Sequence, residues 1–402
     1  MKTNNDQVKT LCKGSAGFDE MARLKALKPF SELTMQFLGD LSASILRDSS
    51  YKQYNDVISF AFFIRRANLQ KLKSEAKIDI SARLGRGLVF HIAPSNVPVN
   101  FAYSLVAGLL SGNANIIKVS SRDFEQVRLL CKMMTVLLDD PKYTVLADYI
   151  AIIQYANEPG INDYFSSLCH VRVIWGGDQT IAQLRKSPLP PRSFDVTFAN
   201  RYSICLINAG AYLVHPDKNG MAVNFYNDTY RFDQNACFSP RLVYWTGTTD
   251  EVNRAKELFW KSLYDYAYKM YPIEDGMATE KQMAMCRTIL DNQDINVEKS
   301  ADNLITRCET THLKENILDG SCANGFFIEY AARGLDGLKQ ISSKKIQTLS
   351  YFGYTPKELA DFVMEHGLPG IDRIVEIGKA HEFSLIWDGY DLLSALTRVI
   401  TY

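Results

Sequence analysis

Apolar residues recur at close to a 3.6-residue interval through residues 30–75, at Phe37, Leu38, Leu41 and Leu46 and then at Val57, Phe60, Ala61 and Ile64. That spacing predicts helices. From about residue 84 the texture changes. Leu88-Val89-Phe90-His91-Ile92, bounded by Gly87 and Pro94, reads as a strand. Pro98 is placed for the first turn of a following helix, with Ser95 or Asn96 as its cap, and Gly112 ends that helix. Residues 115–119 form the next strand. Ser120 and Ser121 are expected to cap a helix that carries Phe124, Val127, Cys131, Met134 and Leu138 on one face. Further strands are predicted at 149–154, at 171–175 and, continuing the same sheet, at 203–208. Later ones are predicted at 242–244 and 326–329. The first 15 residues are polar and are expected to be loose.

Strands alternating with helices at this spacing predict a parallel, doubly wound α/β sheet, followed by a second α/β unit. The 402 residues suffice for two or three domains, each with its own core. Lys and Arg number 45 and Asp and Glu 45, so the net charge is zero, which argues against a nucleic-acid partner. No run of 18 uninterrupted apolar residues occurs. The closest approach, 97–119, is broken by Asn100, Ser104, Ser111, Asn113 and Asn115, so no membrane span is expected. The first 15 residues lack the apolar stretch of a secretory signal. The eight cysteines form no CxxC pair, which predicts reduced thiols in a cytoplasmic protein. The six histidines show no HExxH spacing, and no metal site is expected.

Four places carry candidate chemistry. In Phe232-Asp-Gln-Asn-Ala-Cys-Phe-Ser-Pro-Arg241 a cysteine stands among small and polar residues just before a strand. At a helix N-terminus such a thiol becomes a nucleophile; otherwise Cys237 is one more small buried residue. Asn96, between Pro94 and Pro98, is a donor for a developing oxyanion or an ordinary cap. Lys118 ends a strand where open α/β sheets bind nucleotides, or is a solvated lysine. Gly176 and Gly177 follow another strand and allow a pyrophosphate to approach, although a full GxGxxG is absent.

In this order the segments resemble the LuxC family of acyl-CoA reductases, a branch of the aldehyde dehydrogenase superfamily. The matching stretches are Gly87-Leu-Val-Phe-His-Ile-Ala-Pro-Ser-Asn-Val-Pro98, Gly112-Asn-Ala-Asn-Ile-Ile-Lys118, Asp233-Gln-Asn-Ala-Cys-Phe-Ser-Pro240, Gln347-Thr-Leu-Ser-Tyr-Phe-Gly353 and Trp387-Asp-Gly389. The resemblance covers nearly everything from residue 30 to 398. It implies an aldehyde dehydrogenase-like fold of two doubly wound α/β domains, cofactor-binding and catalytic, with a small oligomerisation element. The corresponding divisions are 1–75 (the helical start of the cofactor domain), 76–215 (nucleotide-binding), 216–393 (catalytic) and 394–402 (a tail that serves as an oligomerisation strand).

The resemblance also assigns roles. Cys237 would attack the acyl carbon, and Asn96 with the Cys237 N–H would hold the oxyanion. Lys118, Ser120, Ser121, Gly176 and Gly177 would contact the cofactor. Oxidising relatives carry a glutamate in an E-L-G-G-K segment that activates water; here Thr197 stands in its place. Losing such a base removes a factor of about 10²–10⁴ from hydrolysis, which favours acyl transfer. No acid follows Lys118 at Ser121, so a 2′-phosphate is tolerated and NADPH is expected. The E-x-F-G glutamate of the superfamily is missing from Ser350-Tyr-Phe-Gly353. The implied reaction is reduction of an acyl-CoA or acyl thioester to the aldehyde through an S-acyl-cysteine. The alternatives are an oxidising aldehyde dehydrogenase and an acyl-relay subunit without hydride transfer. Implied partners are acyl-CoA, an acyl carrier or an acyl-activating synthetase as donor, and further copies of the chain in a homo-oligomer. His91, His215 and His381 are read as core or surface histidines.

Overall fold

The computed structural model describes residues 7–156, 158–292 and 294–402. The chain divides into two compact units, Met1–Ala199 together with Phe383–Tyr402, and Asn200–Glu382.

The first unit is built on a six-stranded sheet of β1 (Lys9–Lys13), β3 (Leu88–Ile92), β4 (Ala114–Lys118), β5 (Ile150–Gln154), β6 (Val171–Trp175) and β7 (Phe194–Phe198), in the order β1-β5-β4-β3-β6-β7. A short strand, β2 (Arg83–Gly85), stands outside it. Strands β3 to β7 are parallel, and β1 pairs antiparallel with β5 at the edge. The central strands are apolar on both faces because helices cover both sides; Leu88, Val89, Phe90, Ile116, Ile117 and Ile150 have no exposed surface. The helix Glu32–Arg47 starts at Ser31, whose side chain accepts from the Thr34 N–H, and buries Phe37, Leu38, Leu41 and Ile45. The helix Asn100–Leu110 ends at Gly112, whose φ of +81° suits glycine. A Cβ there would fall 2.2 Å from the Leu27 carbonyl oxygen.

A polar chain crosses this apolar core. The His91 ring nitrogens lie 2.7 Å from Ser104 Oγ and 3.0 Å from Asn115 Oδ1, and Trp175 Nε1 donates to the same Ser104 oxygen at 3.0 Å. The Asn115 amide nitrogen is spent on the Asn113 carbonyl. Asn115 Oδ1 therefore needs a donor, so His91 carries its proton on Nε2 and its Nδ1 accepts from Ser104. Every member is satisfied, and burial pushes the His91 pKa down to about 4. The reading of His91 as a core histidine agrees with this.

The second unit contains β8 (Tyr202–Asn208), β9 (Pro240–Thr246), β10 (Asn296–Lys299), β11 (Thr306–Thr310), β12 (Phe326–Ala332), β13 (Ile346–Phe352) and β14 (Arg373–Glu376), in the order β10-β11-β12-β9-β8-β13-β14. All pairs are parallel except β10 with β11. One face packs Ile207, Phe225, Trp245, Phe259 and Phe327 together, the other Leu206, Leu242, Ile328 and Leu349. Buried Glu329 is neutralised in place: Trp245 and Trp260 each donate to Oε1 at 2.8 Å, and Arg307 pairs with Oε2 at 3.1 Å.

After Glu382 the chain returns to the first unit, where Phe383 packs on Phe63 and Tyr103. There β15 (Ile386–Trp387) pairs with β16 (Tyr390–Asp391), and β17 (Thr397–Val399) pairs antiparallel with β2. Among the described residues, no helix is long and apolar enough to cross a membrane.

Four expectations need correction. Residues 9–13 form an edge strand and are not loose, while residues 1–6 lie outside the described residues. The helix after β3 begins at Asn100 with Val99 as N-cap, so Pro98 precedes the helix and neither Ser95 nor Asn96 caps it. The next helix, Glu125–Leu138, has Phe124 at its N-cap position, so Ser120 and Ser121 do not cap it. Residues 203–208 belong to the second sheet, where β8 is an inner strand between β9 and β13. Alternation alone does not say where one sheet stops: β8 follows β7 with no helix between them, and its apolar run reads like those before it.

Candidate functional site

In the first unit the chain runs from β3 outward through β4 to β5, then crosses back to place β6 on the other side of β3. Strand order thus reverses between β3 and β6. At such a point the loops leaving the two strands diverge and open a crevice at the carboxyl edge. The loop after β3 carries Asn96, and the loop after β6 carries Gly176 and Gly177. Lys118 ends the neighbouring strand β4 at the same edge, followed by Ser120 and Ser121. The sequence-predicted residues of this unit therefore gather on one edge of one sheet.

Their surroundings differ. Lys118 Nζ lies 4.9 Å over the Tyr155 ring, and partial burial pulls its pKa below the usual lysine range. The Ser120 side chain accepts from the Arg122 N–H at 3.1 Å, and Gln154 donates to the Ser120 carbonyl at 2.7 Å, which fixes the turn after Lys118. Ser121 is exposed. The next carboxylates along the chain, Asp123 and Glu125, are both paired with Arg128. A Cβ at Gly177 would meet nothing, so the approach to this backbone is open. The one carboxylate of β7, Asp195, is committed to buried Arg172 at 2.7 Å, with Arg185 also near. Thr197, two residues on, has no acid beside it in its strand.

Cys237 belongs to the second unit and lies at the opposite kind of edge. It sits in a turn closed by the Ser239 N–H donating to the Ala236 carbonyl at 3.0 Å, immediately before β9 begins. Ser203, at the start of β8, donates to the Cys237 carbonyl at 2.7 Å and accepts from the Thr348 N–H at 3.3 Å. The thiol is thus held at the amino ends of β8, β9 and β13. It is not at a helix N-terminus, which corrects that expectation; the preceding element is a single 3-10 turn, Tyr230–Phe232.

Gln234 explains how a turn can hold this thiol. Asp233 and Gln234 have φ of +51° and +53°, two successive non-glycine residues in the left-handed region. Each costs about 1 kcal/mol or more and persists only where the surroundings over-determine it. The fully buried Gln234 amide donates to the Pro240 and Phe326 carbonyls at 2.8 and 3.0 Å and accepts from the Gly325 and Phe326 N–H groups at 2.9 and 3.1 Å. One side chain therefore pins the cysteine turn to the starts of both β9 and β12. Asp233 adds a bond from Tyr271 at 3.0 Å.

The electrostatic setting comes from arginines. Arg241 and Arg373 are both held below the ordinary arginine value, first by burial, Arg373 at about 10. Acidic neighbours pull both back up, Cys322, Tyr202 and Cys237 for Arg241 and Asp228, Glu382 and Cys237 for Arg373. The effect is reciprocal: cations beside a thiol favour its ionised form. Of the other cysteines, Cys169 and Cys308 are pushed up to about 12 and Cys322 to about 11, chiefly by burial. Ser239 Oγ, Thr348 Oγ1 and both amide atoms of Gln347 lie buried at this same edge without a hydrogen-bond partner. Polar groups so placed ask for water or a polar ligand.

A second cluster at this edge was not singled out from the sequence. Asp228, with no exposed surface, accepts from the Gly378 and Ala380 N–H groups at 2.6 and 3.0 Å and lies 3.3 Å from His381 Nδ1. Arg373 grips the same loop by donating to the carbonyls of Lys379, Ala380 and Glu382. Spacing cannot reveal this, because Asp228 and His381 are 153 residues apart. Ser350-Tyr351-Phe352-Gly353, by contrast, closes β13 at its carboxyl end, away from Cys237. The Ser350 hydroxyl is spent on the Ile204 carbonyl at 3.3 Å.

Solved structures share the fold. A NAD-dependent benzaldehyde dehydrogenase from Corynebacterium glutamicum superimposes with a TM-score of 0.61 at 12% identity, covering 99% of this chain and 95% of that one. Aldehyde dehydrogenase 21 from Physcomitrella patens gives 0.64 at 10%, covering 91% and 84%. Among curated proteins, the long-chain acyl-protein thioester reductase of Photorhabdus laumondii is 24% identical over 337 residues, 79% of this chain and 63% of that protein. That of Vibrio harveyi is 23% identical over 323 residues, 79% and 64%. The chain thus spans somewhat under two thirds of the length of these relatives. The profile of the family described as acyl-CoA reductase (LuxC) matches residues 18–399, and the chain belongs to that family.

Proposed function

We propose that the protein reduces an acyl thioester, carried on CoA or on a protein, to the aldehyde through an S-acyl intermediate on Cys237. The observation that carries this reading is the half-buried Cys237 thiol, held by a pinned turn in the field of Arg241 and Arg373. The family description and the names of the relatives support the thioester class and an acyl-carrying partner.

In the first half-reaction the Cys237 sulfur attacks the acyl carbon and the donor thiol departs. Asn96 and the Cys237 N–H are assigned to the carbonyl oxygen, where donors fixed in advance lower the barrier most. The acyl-enzyme then has to survive. Asp195 is tied to Arg172, and Thr197 cannot act as a base, so no side chain of β7 activates water against it.

The residues at the carboxyl edge of the first sheet fit a nicotinamide cofactor. Lys118 is a partly buried cation resting on an aromatic ring, Gly177 leaves room for close approach, and Arg128 pairs with the acids that follow in the chain, Asp123 and Glu125. This favours NADPH, whose 2′-phosphate meets no free carboxylate beside Ser121. When bound, the cofactor supplies the hydride that takes the acyl group to the aldehyde level. Cys237 then serves as the leaving group and is ready for the next acyl donor.

The test is NADPH oxidation with a series of acyl-CoAs by the wild type and by Cys237→Ala. The variant is expected to bind NADPH and to oxidise none. If Cys237→Ala retained acyl-dependent oxidation, the reading would fail.

A further inference from the structure

We infer that His381, oriented by Asp228, is the proton-transfer partner of Cys237. The inference rests on the reading of Cys237 as the acyl-accepting nucleophile and adds the residue that manages its proton.

Three observations converge. Asp228 is wholly buried, and its Oδ1 lies 3.3 Å from His381 Nδ1, which fixes the tautomer and leaves Nε2 as the working nitrogen. The loop carrying His381 is held from both sides, by Asp228 accepting from Gly378 and Ala380 and by Arg373 donating to Lys379, Ala380 and Glu382. This loop and the cysteine turn meet on Phe232. The Phe232 ring lies 6.3 Å from the His381 ring and 5.1 Å from that of Phe238, the residue after Cys237. Arg373 feels the charges of both Asp228 and Cys237. A nucleophile, a base and a carboxylate that orients the base is the general arrangement of acyl-transfer sites.

The step balances without a further reagent. As the bond from Cys237 Sγ to the acyl carbon forms, His381 Nε2 takes the thiol proton. As the bond from that carbon to the donor sulfur breaks, the imidazolium returns the proton to the departing thiolate. After reduction the aldehyde leaves a Cys237 thiolate, and the solvent proton consumed by the overall reaction re-enters through the same nitrogen.

The charged groups of the loop are Asp228 from the helix Lys218–Asp228, which faces the imidazole, Arg373 from β14, which grips the loop backbone, and Lys379 and Glu382 of the loop itself; Arg241 of β9 stands on the cysteine side. The arginines favour the thiolate whatever His381 does, so the test must separate the two contributions.

The test is the rate of Cys237 alkylation by iodoacetamide from pH 5.5 to 9.5, located by peptide mass spectrometry, in the wild type and in His381→Gln. With His381 as partner, the wild-type thiol reacts well below the ordinary thiol range. His381→Gln moves the inflection toward about 8.5 and cuts the rate at pH 6.5 by about tenfold or more. Near pH 9.5 the two rates agree within about twofold, which shows an intact and accessible turn. Superimposable profiles would overturn the inference in favour of the arginines alone. A uniform loss at every pH would overturn it as a structural effect. Failure of the nucleophile reading itself shows separately, as enzyme that stays active after quantitative alkylation of Cys237.

Discussion

Replacing Gln234 by Leu isolates what holds the cysteine turn. The substitution keeps roughly the same volume, so no large cavity opens, but it strands the Pro240 and Phe326 carbonyls and the Gly325 and Phe326 N–H groups in a buried site. At about 1 kcal/mol for each lost bond, the change costs about 4 kcal/mol. The left-handed backbone at Asp233 and Gln234 loses the contacts that enforce it, so the turn also relaxes. For a unit of this size about 4 kcal/mol corresponds to a fall of about 8–16 °C in Tm. Thermal and urea unfolding measure the loss. Iodoacetamide labelling of Cys237 at pH 9.5 reports the turn, and faster labelling than in the wild type is expected. A loss below about 1 kcal/mol with unchanged labelling would refute the idea that this amide is what shapes the turn.

Two further substitutions probe the first unit. Ser121→Asp places a carboxylate at the proposed 2′-phosphate position; the NADPH Kd should rise about tenfold or more while that of NADH changes less than about threefold, and equal effects on both would contradict the assignment. His91 has a folded pKa of about 4, below its unfolded value of about 6.5. The unfolded state therefore binds a proton first as pH falls. The stability is fully present above pH 6.5 and declines by about 1.4 kcal/mol per pH unit down to pH 4, about 3 kcal/mol in all. Urea unfolding of His91→Gln should lack this share of the acid sensitivity; parallel wild-type and variant curves between pH 6.5 and 4 would refute it.

The architecture was legible in the sequence because parallel strands buried on both faces read as continuous apolar runs, as in Leu88–Ile92 and Val171–Trp175. The limits of each sheet were not, since β8 looks like its predecessors and only tertiary pairing assigns it to β9 and β13. Helix starts slipped by several residues where Pro98 and the Ser120–Ser121 pair imitated capping signals, while the observed N-caps, Val99 and Phe124, carry none. The candidate residues of the first unit fell on one sheet edge because the rule that locates them depends only on strand ends. The Asp228–His381 pair, the two arginines around Cys237 and the four-fold bonded Gln234 were illegible as chemistry, because their partners come from distant segments. Gln234 was visible only as a letter beside the cysteine.

Intact-protein and peptide mass spectrometry after incubation with acyl-CoAs of several chain lengths, followed by NADPH, tests the central claim most directly. An acyl adduct on Cys237 that disappears with stoichiometric NADPH oxidation and aldehyde release is the expected result. An adduct on another residue, or one on Cys237 that survives NADPH, would contradict it.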